Sequence, residues 1–192
     1  MSQLGGGALL GCSPVTGGDV LSCARMATSR KGSPDSSPRG AHPSDSSVQR
    51  DAEIAILRTL STELGVALAP CRLELAAGVH VHVDGFHAGP PAMLAEVFAH
   101  HGALRPGQRH KLMSDALKLV TVSKVLFGAR ARVVLVLADD TAAAGVRSGW
   151  RNAALGALGV EVKLVALPPD VAAKVRAAQA TQSMVNRAPP QD

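Results

Sequence analysis

The stretch that decides the fold runs from Val79 to Lys118 and reads VHVHVDGFHAGPPAMLAEVFAHHGALRPGQRHKLMSDALK. It opens with valine at alternate positions, which is the pattern of a β-strand with one buried face. The apolar run Met93–Ala99 predicts a second strand. Each of these strands carries one acid, Asp84 at the end of the first and Glu96 within the second. A breaker sequence then leads into a predicted helix, Gln108–Leu126.

On the N-terminal side, a helix and a short strand precede this stretch. Residues Asp51–Leu64 place apolar side chains on one helical stripe, and Gly65 stops the helix. A strand at Arg72–Leu75 then turns through Gly78 into the valine-rich strand, as in a β-hairpin. The predicted buried stripe of this first helix consists of Ile54, Leu57, Leu60 and Leu64.

On the C-terminal side, strands and helices alternate. We expect a strand at Arg132–Ala138, a helix within Thr141–Leu158, a strand at Val160–Leu167 and a helix from Pro169 to about Gln182. The full order is helix, three strands, helix, strand, helix, strand, helix. A hairpin followed by alternating elements predicts an α/β fold in which helices flank a mixed β-sheet.

The composition divides the chain into three segments. Residues 1–48 are rich in Gly, Ser and Pro and bury too little apolar surface to offset the entropy of ordering, so we expect a disordered tail. Residues 49–185 form a single predicted domain, and residues 186–192 a flexible C-terminus. The N-terminus lacks a cationic region ahead of an apolar one, and no apolar run approaches the ~20 residues of a membrane helix. We therefore expect a cytoplasmic protein.

Charge and aromatic content limit the classes of partner. The formal net charge of +5 is a mild excess that is compatible with nucleic-acid binding without demonstrating it. Three Phe, one Trp and no Tyr argue against the base-stacking platforms of single-strand binders. The three cysteines include no CxxC pair, which argues against a thiolate zinc site.

The predicted helix Gln108–Leu126 is apolar round most of its circumference, yet it carries one polar arc. Gln108, Lys111, Asp115 and Lys118 fall within about 80° when the helix is viewed down its axis. Burying such charges without partners costs several kcal/mol. The arc therefore faces a ligand, a wet cleft, or its own ion pairs between Asp115 and the two lysines, and the sequence leaves these alternatives open.

The order of elements and the two acids resemble the PD-(D/E)xK phosphodiesterase superfamily, the fold of many restriction enzymes and repair nucleases. The resemblance covers residues 51–138 as an αβββαβ core, with the rest as an additional α-β-α extension. Asp84, in Val83-Asp84-Gly85, matches the first acid of the superfamily motif, and Glu96 matches the second. The resemblance implies that both acids bind Mg²⁺ or Mn²⁺ and that the protein hydrolyses phosphodiester bonds in DNA.

The third motif position departs from this pattern. The superfamily lysine that lies two residues after the second acid is here Phe98, which cannot contact a phosphate through a charge. Some branches of the superfamily are similar to this chain in carrying the lysine or a glutamine on the following helix. The resemblance thus implies catalytic roles for Gln108, Lys111 and Lys118, and Lys111 is preferred because it lies nearer the helix start.

Hard oxygen ligands such as Asp84 and Glu96 suit Mg²⁺, which keeps waters and docks on substrate phosphates. Lys111 would orient the attacking water or neutralise a phosphate oxygen, and Gln108 would donate a hydrogen bond. Glu53 can serve as an auxiliary carboxylate, although a solvated acid in the first turn of its helix is the simpler interpretation.

Two other functions compete with a nuclease. In the first, the protein keeps the nuclease fold as a catalytically inactive binding module, which Phe98 in the lysine position favours. In the second, the protein binds metal through histidines, because imidazoles two residues apart on a strand can chelate Zn²⁺. The candidate histidines are His80, His82, His87, His100 and His101.

Overall fold

The computed structural model describes residues 46–185. The predicted tail at residues 1–48 lies outside the described residues except for its last three positions, and the predicted flexible end at residues 186–192 lies outside them entirely. Within the described part of the chain, no helix is both long enough and apolar enough to cross a membrane.

The described residues form five helices and five strands. They are α1 (Ser46–Leu64), β1 (Ala69–Ala76), β2 (Val79–His87), β3 (Met93–Phe98), α2 (Pro106–Phe127), β4 (Arg132–Leu137), α3 (Asp140–Val146), α4 (Gly149–Ala157), β5 (Val160–Leu164) and α5 (Pro169–Val185). The order matches the prediction except in one place, where two helices replace one.

The strands form one mixed sheet in the order β1-β2-β3-β4-β5. Neighbouring strands are antiparallel from β1 to β3 and parallel from β3 to β5. The hairpin between β1 and β2 turns at Gly78, whose φ of +75° suits glycine. An α/β fold with a mixed sheet flanked by helices is therefore confirmed.

Helices cover both faces of the sheet, and β4 is apolar on both of its faces, as a strand covered on both sides must be. Val133, Leu135 and Leu137 belong to one core, with residues of α2, α3 and α4. Val134 and Val136 belong to the other core, with residues of α1 and α5. Alternate residues of one strand thus anchor opposite layers.

Two predicted helical faces differ from the structure. In α1, Ile54 is exposed, whereas Ile56 is buried beside Leu57 and Leu60. In α2, Leu117 is 60% exposed, so this helix is buried on one face and not round most of its circumference. The difference arises because the sheet presents only one surface to each helix, whichever other apolar residues the helix carries.

The predicted single helix within Thr141–Leu158 is wrong. The chain leaves the helical conformation after Val146, and Ser148 is extended with φ −123° and ψ 150°. Gly149 follows with φ +65°, a left-handed conformation that glycine adopts without steric cost. The Ser148-Gly149 pair is a typical breaker, and it separates α3 from α4.

Gly85 lets α1 approach the sheet closely. A Cβ at this position would lie 2.8 Å from Leu57 Cδ2 and 3.2 Å from Ala95 Cβ. We expect Gly85→Val to lower the free energy of unfolding by about 1–3 kcal/mol through overpacking, measured by urea denaturation. The matched control is Gly107→Val, at a position where an added Cβ meets nothing within 4 Å. Equal stability of the two variants would contradict this prediction.

Candidate functional site

A β-bulge in β2 determines where Asp84 points. Ala69 of β1 pairs with Phe86, but Cys71, two residues further on, pairs with Val83, three residues back along β2. The extra residue of β2 therefore lies at Asp84 or Gly85, and such bulges redirect side chains. The predicted end of the strand at Asp84 is wrong, since β2 continues to His87.

Asp84 lies where β2 and β3 stop pairing. Backbone pairing between these strands reaches from His87 only to Gly85, which is opposite Ala95. Beyond that point the Asp84 side chain links the two strands, because its Oδ2 accepts a hydrogen bond from the backbone N–H of Val97 at 2.9 Å. This bond fixes the half-buried acid against β3, one residue from Glu96.

Glu96 is buried between β3 and α2, with 6% of its surface exposed. The Lys118 Nζ atom lies 2.6 Å from Glu96 Oε1. At this distance the Lys118 ammonium and the Glu96 carboxylate form a close ion pair, which gives Oε1 a charged partner. Burial raises the pKa of Glu96 to about 7; Lys118 opposes this rise, and the charges of Asp84 and Asp115 add to it.

The polar arc of α2 faces β3 and the loop that follows it. Three side-chain contacts join them: Gln108 with His100, Lys111 with Phe98, and Lys118 with Glu96. The residue numbers in α2 increase while those of their partners decrease, so α2 and β3 run antiparallel. The arc therefore faces the sheet, with Gln108 beside the loop after β3 and Lys118 beside Glu96 within β3.

The ion pairs that the sequence offered as an alternative are also present. Lys111 Nζ lies 2.7 Å from Asp115 Oδ2, and Lys118 Nζ lies 3.6 Å from Asp115 Oδ1. The Lys111 side chain is 62% exposed, and its ammonium stands 5.5 Å from the Phe98 ring centroid. Burial lowers the pKa of Lys111, but Asp115 outweighs this effect and leaves that pKa above its usual value.

Glu53 joins the site from α1. The helix begins at Ser46, so Glu53 is two turns inside it and half-buried. The interpretation of Glu53 as a solvated first-turn acid is therefore wrong. Burial raises its pKa; a hydrogen bond from Gln49 opposes the rise, and the charge of Asp84 adds to it. A role for Glu53 as an auxiliary carboxylate stays a prediction.

Gln108 makes its hydrogen bonds at the start of α2 and with His100. Its side-chain carbonyl accepts a hydrogen bond from the backbone N–H of Arg105 at 2.8 Å, which caps the start of α2. Its amide nitrogen contacts His100 Nδ1 at 3.1 Å, and Gln179 of α5 contacts the same nitrogen. Of the three predicted catalytic side chains, only Lys118 contacts Glu96. Lys111 is mostly exposed and pairs with Asp115. Gln108 caps the start of α2.

The acids of this site are the candidate ligands for the predicted Mg²⁺ or Mn²⁺ ion. No group of three or more His, Cys, Asp or Glu within residues 46–185 is arranged to hold a metal ion. Mg²⁺ is commonly held by one or two carboxylates, with waters and substrate phosphates completing the shell. Asp84 and Glu96 are the carboxylates that could supply such a pair, although Oε1 of Glu96 is already paired with Lys118 and Oδ2 of Asp84 accepts a hydrogen bond from Val97.

The candidate histidines do not converge within the described part of the chain. His80 and His82 are exposed on the hairpin, opposite Glu74 and Arg72 respectively. His100 instead lies at the far end of β3, in contact with Gln108.

A second polar pair, which the sequence analysis missed, lies at the C-terminal ends of β3 and β4. His101 Nδ1 is 3.2 Å from Asp139 Oδ2, and Asp139 Oδ1 accepts a hydrogen bond from the backbone N–H of Ala142. Burial raises the pKa of Asp139, but backbone hydrogen bonds and His101 outweigh this effect and lower that pKa. The signal was available, because an Asp directly before a helix is a common N-cap.

Comparison with known proteins does not assign the chain to a family. No family model matches the sequence, and no significant similarity was found to any curated protein or to any solved structure.

Proposed function

We propose that the domain is a metal-dependent nuclease that hydrolyses phosphodiester bonds in DNA. The observation that carries the proposal is the buried carboxylate of Glu96, which pairs with Lys118 at 2.6 Å and whose pKa is raised by burial and by the charge of Asp84. A buried acid with a raised pKa is typical of functional sites. The order α1-β1-β2-β3-α2-β4 and the mixed sheet support a PD-(D/E)xK-like core.

In this proposal, water attacks the phosphorus atom in line with the leaving oxygen, and different residues contribute to this step. Asp84 and Glu96 would hold the Mg²⁺ or Mn²⁺ ion, which would supply Lewis acidity and an acidified water. Lys118 lies nearer Glu96 than Lys111 does, so it is the better placed ammonium for orienting the water or neutralising a phosphate oxygen. Lys111, at the exposed edge, would contact the DNA backbone.

The direct test is cleavage of DNA by the purified 192-residue chain. We expect Mg²⁺ or Mn²⁺ to support nicking or cutting of plasmid and linear duplexes, and EDTA to stop it, because the two carboxylates need a cation to engage a phosphate. Products would be followed on gels over time. Absence of cleavage with both metals on duplex, single-stranded and branched DNA would contradict the proposal.

One observation favours a second candidate, a catalytically inactive module that binds nucleic acid or protein through the same fold. Phe98 occupies the position of the superfamily lysine, and Lys118 already neutralises Glu96. This candidate predicts binding that is unchanged in Asp84→Ala and independent of metal. Metal-dependent cleavage without stable metal-free binding would reject it.

A further inference from the structure

We propose that the exposed face of α4 binds single-stranded nucleic acid, with Trp150 stacking on one base and Arg147 and Arg151 contacting phosphates. This surface uses no residue of the site around Glu96, so the inference does not depend on the proposed cleavage chemistry. It gives the segment that connects β4 to β5 a binding role.

α4 leaves most of its apolar side chains in solvent. Within the helix only Leu155 is buried, whereas Trp150 is 63% exposed. Leu158, directly after the helix, is 43% exposed, and Ala153 and Ala157 are exposed as well. The helical repeat places these four exposed side chains within about 140° of the circumference. An exposed apolar face around a tryptophan is typical of an interaction site.

The charges around this face are positive. Arg147 and Arg151 flank Trp150 in the sequence, and no acid occurs at residues 141–160. Within residues 46–185 neither arginine forms an ion pair. The next acid, Glu161, pairs with Arg132. Its side chain points to the other face of the sheet, since the residues on either side of it in β5 belong to the core on the α4 face. The charge of this surface therefore suits an anionic partner.

Both arginines are positioned by contacts that leave most of their donors free. Arg147 Nη2 donates a hydrogen bond to the backbone carbonyl of Val162 at 3.2 Å. The Arg151 Cζ atom lies 5.1 Å from the centroid of the Trp150 ring, a cation–π contact. A guanidinium carries five N–H donors, so each can still bind a phosphate. The ring stays 63% exposed with Arg151 over one face, which leaves the other face for a base.

One aromatic ring between two cations fits a nucleic-acid strand better than the other anionic or apolar partners. Unpaired bases stack on aromatic side chains while cations contact the backbone, and one ring is enough for one base. A second copy of the chain would bring the arginines of both copies together without an acid. An anionic membrane would gain little, because membrane binding scales with apolar area and this face offers one Trp, one Leu and two Ala.

Trp150 is the only tryptophan of the chain, so its fluorescence reports on this surface alone. The whole 192-residue chain would be titrated in EDTA with an oligothymidylate and with a duplex of equal length. We expect the single strand to quench the fluorescence until binding is saturated, because a thymine stacks on the ring. The duplex should leave the fluorescence unchanged, because its bases stack on one another. This measurement uses the wild type and does not depend on the folding of any variant.

The stacking contact is tested with Trp150→Leu, which keeps an apolar side chain but removes the ring. Affinity for a fluorescein-labelled oligothymidylate would be measured by anisotropy. We expect Trp150→Leu to bind at least about 5-fold more weakly than wild type. The matched control is Leu158→Ala, which removes apolar surface from the same face and should stay within about 2-fold of wild type because no ring is lost.

The phosphate contact is tested with Arg151→Gln. We expect the slope of log affinity against log salt concentration to become shallower by about 0.7, the value for one phosphate contact on a single strand. Arg58→Gln makes the same change at an exposed position of α1, which covers the other face of the sheet, and should leave the slope unchanged. Equal slopes in the two variants would contradict a phosphate contact by Arg151.

The outcomes separate this inference from the proposed nuclease. Fluorescence that oligothymidylate does not change, or equal affinity of Trp150→Leu and wild type, would overturn the surface. A blue shift of the fluorescence with phosphatidylserine vesicles, and none of these effects with oligothymidylate, would also overturn it and assign the face to an anionic membrane. Cleavage of DNA by a chain that shows no quenching would leave the nuclease standing and reject the surface, whereas quenching without cleavage would support the surface and reject the nuclease.

Discussion

Glu96→Gln and Asp84→Asn are each expected to reduce metal-dependent DNA cleavage by at least about 100-fold. Changes to groups that only orient metal ligands typically cost about 10–100-fold, and removal of a ligand charge should cost more. Both replacements keep the shape of the side chain, so the new amide carbonyl in Asp84→Asn can still accept the hydrogen bond from Val97 that joins β2 to β3. The measurement is the initial rate of plasmid nicking at saturating Mn²⁺.

The control for this loss is Glu74→Gln, which makes the same chemical change at an exposed position of the same sheet. It should cleave DNA at the wild-type rate. Urea denaturation of each variant would show that the protein remains folded at the assay temperature. Retention of more than about a tenth of the wild-type rate by a folded Glu96→Gln protein would contradict the assignment of Glu96 as a metal ligand.

The second large effect is a dependence of stability on pH that comes from Glu96. Its pKa is about 7 in the folded protein and 4.5 for an ordinary glutamate. Below 4.5 the side chain is protonated in both states, and its favourable contribution to folding is fully present. Between 4.5 and 7 the folded state keeps a proton that the unfolded state has released, so stability falls as pH rises.

At about 1.4 kcal/mol for each pKa unit, wild type should lose about 3 kcal/mol across this window relative to Glu96→Gln, whose amide stays neutral. The free energies of unfolding of both proteins would be measured in urea with EDTA at about pH 4.5 and about pH 8. Titrating groups that do not interact with Glu96 behave alike in both proteins and cancel in the difference. Parallel stability curves would contradict a buried, proton-binding Glu96.

Several parts of the site followed from the sequence. The 3.6-residue period of α2 placed Gln108, Lys111, Asp115 and Lys118 on one arc before any contact was known, and that arc does face β3. An isolated acid in an apolar strand singled out Glu96, which is buried. These features depend on the geometry of a single helix or strand, so a local pattern is enough to predict them.

Other parts required the three-dimensional arrangement. The preference for Lys111 over Lys118 was argued from distance to the helix start, but α2 runs antiparallel to β3, so the later lysine meets the buried acid. The position of Glu53 depended on where α1 begins, and local propensity predicts helix ends poorly. Asp84 points to β3 because of a bulge that appears only in the pairing of β1 with β2.

The sequence by itself determined the succession of elements apart from the division of the helix at residues 141–158, the mixed α/β class of the sheet and the identity of the acids and lysines available to a site. It could do so because hydrophobic periodicity follows from the backbone geometry of each element. The tertiary structure alone decided which lysine neutralises Glu96, how deeply that carboxylate is buried and that Asp139 meets His101. Those properties depend on strand register, helix direction and packing between elements distant in the chain, which no local pattern contains.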